Sequence, residues 1–539
     1  MSPGQRGVRL DGILRSRRAL TAIAGFLGAG ALASSVCVVF PAGAIAGSSG
    51  RGLSSVEGGR PGRIRLPALP APPSGFGPTA SPGVCSGVEV SVQARLDVLV
   101  SNYGPGTTFC LSPGIHRIGT PVVPKPNDQF IGQAGAILDG SEDISAQFTP
   151  VATSNGRVWA SPNQMEQETP KGICSGGSES CRFAHAVFYD NRPLNRVMTL
   201  ADLRPGSFFF DYAEHAIYVA DNPAGHRVDV AVSVGAFQGW MTSAVDVTIR
   251  NLTIQKFANV AQVGAISCGV GWIVENNDIR LNHGAGLEGG DLVTGNFIHD
   301  NGQLGINGRG GVIEHNEISF NNTAGFSGRW EAGGAKFTGA NDLLVEDNYV
   351  HDNDGPGLWS DTDNIDVTYR GNYVANNALE GILHEISYNA LIEDNVVTNN
   401  GFGSKSGWLE GAGILILSSP NVEIRANTVM NNLNGITIEQ TDRGVGRYGP
   451  YESTDISVDD NVIVMKRGQT GLAQGVNDPS YFTDRGNRFA GNTYYLGCST
   501  TPFAWRSPAG RMYDGKLSTS EWIRVGNDRR GTFRSVCAR

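Results

Sequence analysis

The feature that most constrains the fold is an asparagine that recurs before a short apolar step in the second half of the chain. It stands at Asn277, Asn296, Asn316, Asn348, Asn372, Asn395, Asn427 and Asn461. Apolar and polar residues alternate around these positions, as in Val345 to Val350, whereas a solenoid of helices needs a period of about 3.6. Short strands at a repeat of roughly 20 residues predict an all-β chain coiled as a right-handed parallel β-helix. Stacked asparagine side chains hydrogen-bond along the axis of such a coil, so we expect this ladder to be structural and not catalytic.

Composition agrees with this fold class. Glycine accounts for 73 of the 539 residues, charged residues for 17% and hydrophobic residues for 40%, which excludes a disordered chain and favours tight turns between short strands. The strand pattern extends over residues 85–500. It is interrupted at 146–235, where aromatic strands such as Phe208 to Asp211 predict a small antiparallel β insertion.

Residues 1–44 are predicted to be a signal peptide. A basic stretch precedes an apolar stretch and a small-residue cleavage site, which are Arg15 to Arg18, residues 19–40 and Ala42 to Ala44. Ser16 to Leu20 also resembles a twin-arginine signal, and the alternative is a membrane anchor. We expect a secreted, extracellular protein, exported by the Sec or the twin-arginine route, with no membrane span after cleavage. Residues 45–84 are predicted to be a flexible Pro/Gly/Ser linker, and residues 501–539 a C-terminal cap or tail.

The acidic net charge limits the partners. It is −9 for the whole chain and becomes −13 once the first 44 residues, which carry five Arg and one Asp, are removed. Contacts to phosphate need clustered Lys and Arg, so we expect no nucleic-acid partner. A polysaccharide or oligosaccharide of low charge is favoured, and we expect it to be bound by a monomer.

Seven cysteines follow the signal, and export permits disulfides. Pairing by proximity predicts Cys85–Cys110, Cys174–Cys181 and Cys498–Cys537, although the sequence leaves other pairings open. Cys268 is then left as a buried thiol. No cysteine spacing resembles a zinc site, and no metal site is predicted.

Three repeats are longer than the others by about ten residues, and insertions in a solenoid cluster on its binding face. The inserts at 321–333 and 401–412 precede the same strand of their repeats, with two short repeats between them. We expect these inserts to form two walls on either side of a floor of two strands. A third insert, at 441–455, follows the equivalent strand of the next repeat.

The floor is predicted by aligning strands on their leading glycines, Gly357 and Gly381. Alternation then directs Leu358 and Ile382 inward, and places His384 inward or at a bend. The residues expected to point outward are Lys336, Thr338, Trp359, Asp361, Asp363, Leu383, Glu385, Leu417, Thr437 and Glu439.

Asp361 and Glu385 are the candidate catalytic pair, because this alignment places them at the same outward position on adjacent strands. Stacked strands lie ~4.8 Å apart, close to the ~5–5.5 Å that separates the nucleophile and the acid/base of a retaining glycosidase. Proximity would also split their pKa values, as such roles require. Aligning the same two strands on Asn372 and Asn395 instead shifts Glu385 by one residue relative to Asp361. The sequence therefore leaves both the glycine-based and the asparagine-based register open.

Further residues are candidate substrate contacts. Lys336 could bind a hydroxyl or carboxylate, act as a base, or form a salt bridge to Asp361. Tryptophans stack on sugar rings, and Glu331 could face the groove or cap its loop. The full set comprises Lys336, Trp359, Asp363, His384, Glu331, Trp330, Trp408 and Glu439.

The run from Glu331 to Phe337, through residues 357–364, to Leu383–Tyr388 resembles secreted bacterial right-handed parallel β-helix repeat proteins of the pectate-lyase-like solenoid type. More loosely, it resembles the β-helix glycoside hydrolases of family 120, which includes β-xylosidases, and of family 141. The resemblance covers roughly residues 85–500. It implies that Asp361 is the nucleophile and Glu385 the acid/base, and that a small β insertion interrupts the early coils.

The sequence is compatible with three functions. The first is a retaining glycoside hydrolase acting on an extracellular or cell-wall polysaccharide, with no cofactor. The second is a polysaccharide lyase or C5-epimerase, in which Lys336 abstracts a proton and Asp361, Asp363 and Glu385 hold Ca²⁺. The third is a non-catalytic surface β-helix. Few Arg and Lys near the predicted groove count against a polyuronate lyase, and paired acids on a walled floor count against a pure binding protein.

Overall fold

The computed structural model describes residues 66–78, 85–153, 156–166, 169–405, 409–505 and 515–537. The predicted signal peptide lies outside the described residues. No helix among these residues is long and apolar enough to cross a membrane.

Successive turns of the chain stack into three long sheets, which confirms the predicted parallel β-helix. Sheet 1 consists of Val88–Val90, Thr108–Leu111, Gln129–Gly132, Thr248–Arg250, Ile273–Glu275, Leu292–Thr294, Val312–Glu314, Leu344–Glu346, Val367–Arg370, Ala390–Glu393, Val422–Arg425, Ile456–Asp459 and Arg488–Ala490. Sheet 2 consists of Gly114–Arg117, Ala136–Asp139, Thr253–Gln255, Asp278–Arg280, Phe297–His299, Glu317–Ser319, Tyr349–His351, Tyr373–Ala375, Val396–Thr398, Thr428–Met430, Val462–Met465, Thr493–Leu496 and Thr532–Ser535.

Sheet 3 carries the candidate site. It consists of Phe237–Gln238, Gly264–Ser267, Ala285–Glu288, Leu304–Gly308, Gly333–Phe337, Leu358–Asp361, Ile382–Glu385, Ala412–Leu417, Asn434–Gln440, Thr470–Gln474, Phe503–Trp505 and Lys516–Leu517. Its strands pair in parallel except the last two, which are antiparallel. Ala335, Leu358, Ile382 and Ile414 lie in register on neighbouring strands and are buried in one apolar column. Burying such columns removes apolar surface from water and stabilises the stack of coils.

The predicted asparagine ladder is confirmed. Each amide bonds to the next asparagine along the axis, as where Asn348 Nδ2 donates to Asn372 Oδ1 at 3.0 Å. The same nitrogen donates to the backbone carbonyl of Ile313 at 2.8 Å, so the ladder also satisfies turn carbonyls inside the coil. A second, parallel ladder that we did not predict lies at the next turn, and consists of Asn282, Asn301, Asn321, Asn353, Asn377, Asn400 and Asn432.

The insertion forms two small sheets beside the early coils. Its strands are Ser141–Asp143, Thr149–Thr153, Gly156–Ser161, Val187–Tyr189, Arg192–Pro193, Asn195–Val197, Ser207–Asp211, Ala216–Val219 and Val228–Ala231. Their pairing is antiparallel, except that Asn195–Val197 runs parallel to Ser207–Asp211. The insertion therefore starts slightly before residue 146 and is not purely antiparallel.

Short helices lie outside the sheets. The α-helices are Leu96–Ser101 and Thr519–Arg524, and the 3₁₀ helices are Ser145–Gln147, Ser175–Gly177, Ser180–Arg182, Leu200–Asp202 and Pro479–Phe482. Trp522 of the last α-helix stacks on Phe503 at 4.6 Å between ring centroids and is fully buried, so it covers the C-terminal end of the core.

All three predicted disulfides are present, namely Cys85–Cys110, Cys174–Cys181 and Cys498–Cys537. Cys268 is a buried free thiol, as expected. These disulfides are compatible with an exported protein.

Part of the predicted linker lies against the coil. Leu66 and Leu69 pack beside Met430, Val464 and Tyr495, and the Gly77 N–H donates to the Gly295 carbonyl at 2.8 Å. Within the predicted linker, the leucines of residues 66–78 therefore bury apolar surface on sheet 2.

Candidate functional site

The floor of the site is formed by three strands of sheet 3, Gly333–Phe337, Leu358–Asp361 and Ile382–Glu385. Trp359 lies in register with Lys336 and Leu383, and Asp361 lies in register with Glu385. The structure therefore has the register predicted by aligning the strands on Gly357 and Gly381. Side chains alternate along a strand, so both carboxylates point out of the coil on the same face.

The two predicted walls are joined to each other. Arg329 of the first insert contacts Glu410 of the second at 2.7 Å, and it also contacts the buried Glu380 at 3.1 Å. The Gly411 N–H donates to Glu380 at 2.7 Å, which fixes this carboxylate from the second insert. One edge of the groove is consequently closed by contact between the two inserts, which the sequence predicted only as walls on either side of the floor.

The third insert closes the opposite edge. It forms a hairpin, Val445–Gly446 with Gly449–Pro450, and the Gly449 carbonyl accepts from Tyr388 Oη at 2.7 Å. Arg443, just before the hairpin, forms a salt bridge to Glu385. Between the two edges lies a cavity of about 390 Å³, whose lining includes Trp359, Leu383 and Glu385.

Asp361 belongs to a cluster around the buried Lys336. The Lys336 Nζ lies 2.7 Å from Asp361 Oδ2 and 2.7 Å from Glu331 Oε1, and it donates to the Trp330 carbonyl at 3.1 Å. It also lies 3.9 Å from the centre of the Trp359 ring. The Lys336 side chain is only 3% exposed. Lys336 therefore forms the salt bridge to Asp361 that was one of its three predicted roles.

Two carboxyl groups beside Asp361 hold their protons to higher pH than usual. Burial raises the pKa of Glu385, the charge of Asp361 raises it further, and Arg443 partly opposes both effects. Burial also raises the pKa of Glu331, while Lys336 opposes that effect. Neighbouring carboxyl groups with different environments are the arrangement in which one acts as a base or nucleophile and another as an acid.

The three candidate tryptophans have different environments. Trp359 is buried with Leu383, Ala412 and Leu415, and its Nε1–H donates to Glu385 Oε2 at 3.2 Å, so it holds the carboxyl group in position. Trp330 packs with Phe326 and with the Cys174–Cys181 disulfide loop of the insertion. Trp408 lies outside the described residues.

Two further candidates do not reach the groove. His384 points into the core, is fully buried, and burial lowers its pKa to about 3. A substrate contact from His384 is therefore wrong, because alternation places it on the inner side of the strand. Asp363 Oδ1 accepts from Tyr451 Oη at 2.7 Å and from the Arg447 N–H at 2.8 Å. Asp363 thus anchors the hairpin through this oxygen.

Glu439 is a buried acid in the wall of the cavity. It lies two strands beyond Glu385 in the same outward row, and its Oε1 has no hydrogen-bond partner among the described residues. Burial raises the pKa of Glu439 to about 8, and the charges of Glu410 and Glu380 raise it further. Glu439 therefore carries its proton at neutral pH and can donate a hydrogen bond.

We expect Glu439→Gln to stabilise the protein at neutral and alkaline pH. The folded state keeps the Glu439 proton up to a pKa of about 8, and the ordinary value is 4.5. The folded state therefore binds more protons than the unfolded chain in this range, so the free energy of unfolding falls as pH rises from 4.5 to 8. The variant should match the wild type at pH 4 and exceed it by on the order of 3 kcal/mol at pH 8.

Urea denaturation at a series of pH values measures this difference. The exposed Glu423, which pairs with Arg425 on the surface, provides the control Glu423→Gln, and it should show no such trend. A Glu439→Gln gain that stays constant from pH 4 to pH 8 would contradict the assignment.

Sequence reasoning placed Arg329, Glu410 and Arg443 in the inserts without assigning their contacts, and it missed Glu380. Arg329, Glu410 and Arg443 belong to the inserts, whose loops carry no strand periodicity from which their direction could be predicted. Within the described residues, no group of three or more His, Cys, Asp and Glu side chains is arranged to hold a metal ion.

Comparison with known proteins is consistent with the fold. A family model for the right-handed beta helix region matches residues 235–408. No curated protein sequence matches the chain. The structure of XylC in complex with xylose is 14% identical, covers 75% of this chain and 81% of its own, and superposes with a TM-score of 0.55.

Two other solved structures match with TM-scores below 0.5. The A-module of the Azotobacter vinelandii mannuronan C-5 epimerase AlgE6 is 14% identical, covers 86% of this chain and 98% of its own, and has a TM-score of 0.46. A glycoside hydrolase is 10% identical, covers 68% of this chain and 87% of its own, and has a TM-score of 0.40. At these identities the likeness concerns the fold alone.

Proposed function

We propose that this chain is an exported carbohydrate-active enzyme, a retaining glycoside hydrolase of extracellular or cell-wall polysaccharide. Asp361 is the nucleophile and Glu385 the general acid/base. The observation that carries the proposal is the register that pairs Asp361 with Glu385 on adjacent strands. Adjacent strands are ~4.8 Å apart, and a separation of ~5–5.5 Å suits a covalent glycosyl-enzyme route.

The environments of the two carboxyl groups fit these roles. Asp361 forms an ion pair with Lys336 at 2.7 Å, and a carboxylate is the group that attacks an anomeric carbon in a retaining glycosidase. Burial and the charge of Asp361 raise the pKa of Glu385 and favour the protonated form that donates to the leaving oxygen, while the salt bridge with Arg443 opposes that form. Once the sugar is attached to Asp361, the charge of that carboxylate is lost, the pKa of Glu385 falls, and Glu385 can then act as a base toward water.

The Lys336 cluster supports the same assignment. Lys336 uses its donors on Glu331, Asp361 and the Trp330 carbonyl, so it holds the nucleophile in place and leaves no free position from which to abstract a proton. A lyase or C5-epimerase that relies on Lys336 as a base is therefore less well supported. The Ca²⁺ that this alternative requires would have to displace Lys336 from Asp361, Arg443 from Glu385 and Tyr451 from Asp363.

Xylose-containing oligosaccharides are the first substrates to test, because the structure of XylC, which has a similar fold, was determined with xylose bound. We expect hydrolysis of a neutral glycan with net retention at the anomeric carbon. The test is a panel of neutral and uronate oligosaccharides with ¹H NMR detection of the first-formed anomer, together with absorbance of unsaturated uronates. Inversion at the anomeric carbon would contradict the assignment of Asp361 as the nucleophile. Unsaturated products whose formation stops when a chelator is added would show that the protein is a lyase and not a hydrolase.

A further inference from the structure

A second cavity, of about 490 Å³, lies where the insertion packs against turns of the early coils. Its lining includes Phe183, Leu194, Asn195, Arg196, Phe208 and His283. None of its lining residues contributes to the cavity beside Glu385. The two cavities are therefore separate sites.

Arg196 is the central charged residue of this cavity. Its guanidinium carbon lies 4.7 Å from the centre of the Phe208 ring, 5.4 Å from that of Phe183 and 5.9 Å from that of Tyr212. One guanidinium nitrogen donates to the His185 carbonyl. The three rings hold the guanidinium by cation–π contact and fix the direction of its fork.

The charge of Arg196 is not matched by a carboxylate. Among the described residues no Asp or Glu forms a salt bridge with it. Burial lowers the pKa of Arg196, and the charge and side-chain hydrogen bond of Tyr212 raise it. Burial and the charge of Arg196 lower the pKa of His185 to about 4 and of His283 to about 3, so both rings are neutral at pH 7. Asp300 also lines the cavity, but it bonds to His299 at 2.6 Å.

We infer that this cavity binds the carboxylate of an acidic sugar residue, with Arg196 as its partner. A guanidinium fork recognises a carboxylate through two parallel hydrogen bonds. Phe183 and Leu194 offer apolar surface to the face of a sugar ring, and the amide of Asn195 offers partners to its hydroxyl groups. The volume lies within the ~300–1,000 Å³ usual for small-ligand sites. Binding of a carboxylate is inferred from Arg196. That the carboxylate belongs to a sugar rests on the proposed function.

The inference is tested by binding to the full chain. Glucuronate, glucose and inorganic phosphate are titrated by calorimetry and by ligand-observed NMR. We expect glucuronate to bind at least about tenfold more tightly than glucose or phosphate, since only glucuronate offers both the carboxylate and the ring. Arg196→Lys keeps the charge but loses the fork, and should weaken glucuronate binding about tenfold; Arg196→Gln should abolish it.

Arg204→Gln is the matched control, because Arg204 lies on the insertion, is exposed and does not line the cavity. It should leave glucuronate binding unchanged. Equal affinity for glucose and glucuronate, or unchanged binding in both Arg196 variants at an unchanged melting temperature, would overturn the site. Phosphate binding as tight as that of glucuronate would overturn the sugar assignment. Repeating the titration with the variant Asp361→Asn separates this result from hydrolysis, since binding to Arg196 needs no turnover.

Discussion

Replacement of Asp361 by Asn is expected to lower kcat/KM on a neutral glycan by at least ~10³-fold. An amide cannot form the glycosyl ester, and it also loses the charge that pairs with Lys336. The fold should survive, because Lys336 keeps Glu331 as a second partner at 2.7 Å. Initial rates on the substrate identified by the panel, with the melting temperature measured in parallel, give the comparison.

Azide sharpens this test. With Asp361→Gly, azide can enter the space of the missing carboxylate and attack the anomeric carbon directly, which gives a glycosyl azide of inverted configuration. The matched control is Asp366→Asn, an exposed aspartate whose carboxylate bonds to Asn389 on the surface. Asp366→Asn should keep full activity. Activity of Asp361→Asn within tenfold of the wild type would eliminate the proposed nucleophile.

Replacement of Asn372 by Ala is expected to destabilise the coil by about 4 kcal/mol. The Asn372 amide donates to the Val345 carbonyl at 2.8 Å and to Asn395 Oδ1 at 3.0 Å. Its oxygen accepts from the Asn348 N–H at 3.1 Å and from the Asn348 amide at 3.0 Å. Alanine would leave these groups unpaired and buried, at a cost of ~1–3 kcal/mol for each fully desolvated group.

The free energy of unfolding in urea, followed by circular dichroism, measures this loss. Asn341→Ala is the control, because Asn341 is exposed and bonds only to the neighbouring Asp342 among the described residues. It should change stability by less than about 0.5 kcal/mol. A loss below ~1 kcal/mol for Asn372→Ala would show that the ladder is not a main source of stability.

The sequence was sufficient for the coil because each repeat carries the same local information. The second asparagine ladder could also have been found, since Asn282, Asn301 and Asn321 each follow a predicted ladder position by five residues. The second ladder was missed because the first one already accounted for the repeat. The walls were found as inserts, but their closure through Arg329 depends on loop conformation that carries no periodicity.

In the candidate site, the direction of each strand side chain could be predicted from the sequence, but its distant partners could not. Alternation correctly directed Asp361 and Glu385 outward and His384 inward. It could not indicate that Tyr451, 88 residues along the chain, donates a hydrogen bond to Asp363. Nor could it indicate that Arg443, 58 residues along the chain, binds the Glu385 carboxylate. Such contacts are made by hairpins that fold across several coils, and nothing local in the sequence specifies their partners.

The sequence by itself therefore determined the solenoid and the outward row of carboxylates, because period-two alternation and a repeated asparagine act within one coil and its neighbours. Only the tertiary structure decided which register pairs Asp361 with Glu385, which cations hold them and which acid is buried. Those properties depend on burial and on charges brought from distant inserts, and both are set when the chain closes over the floor.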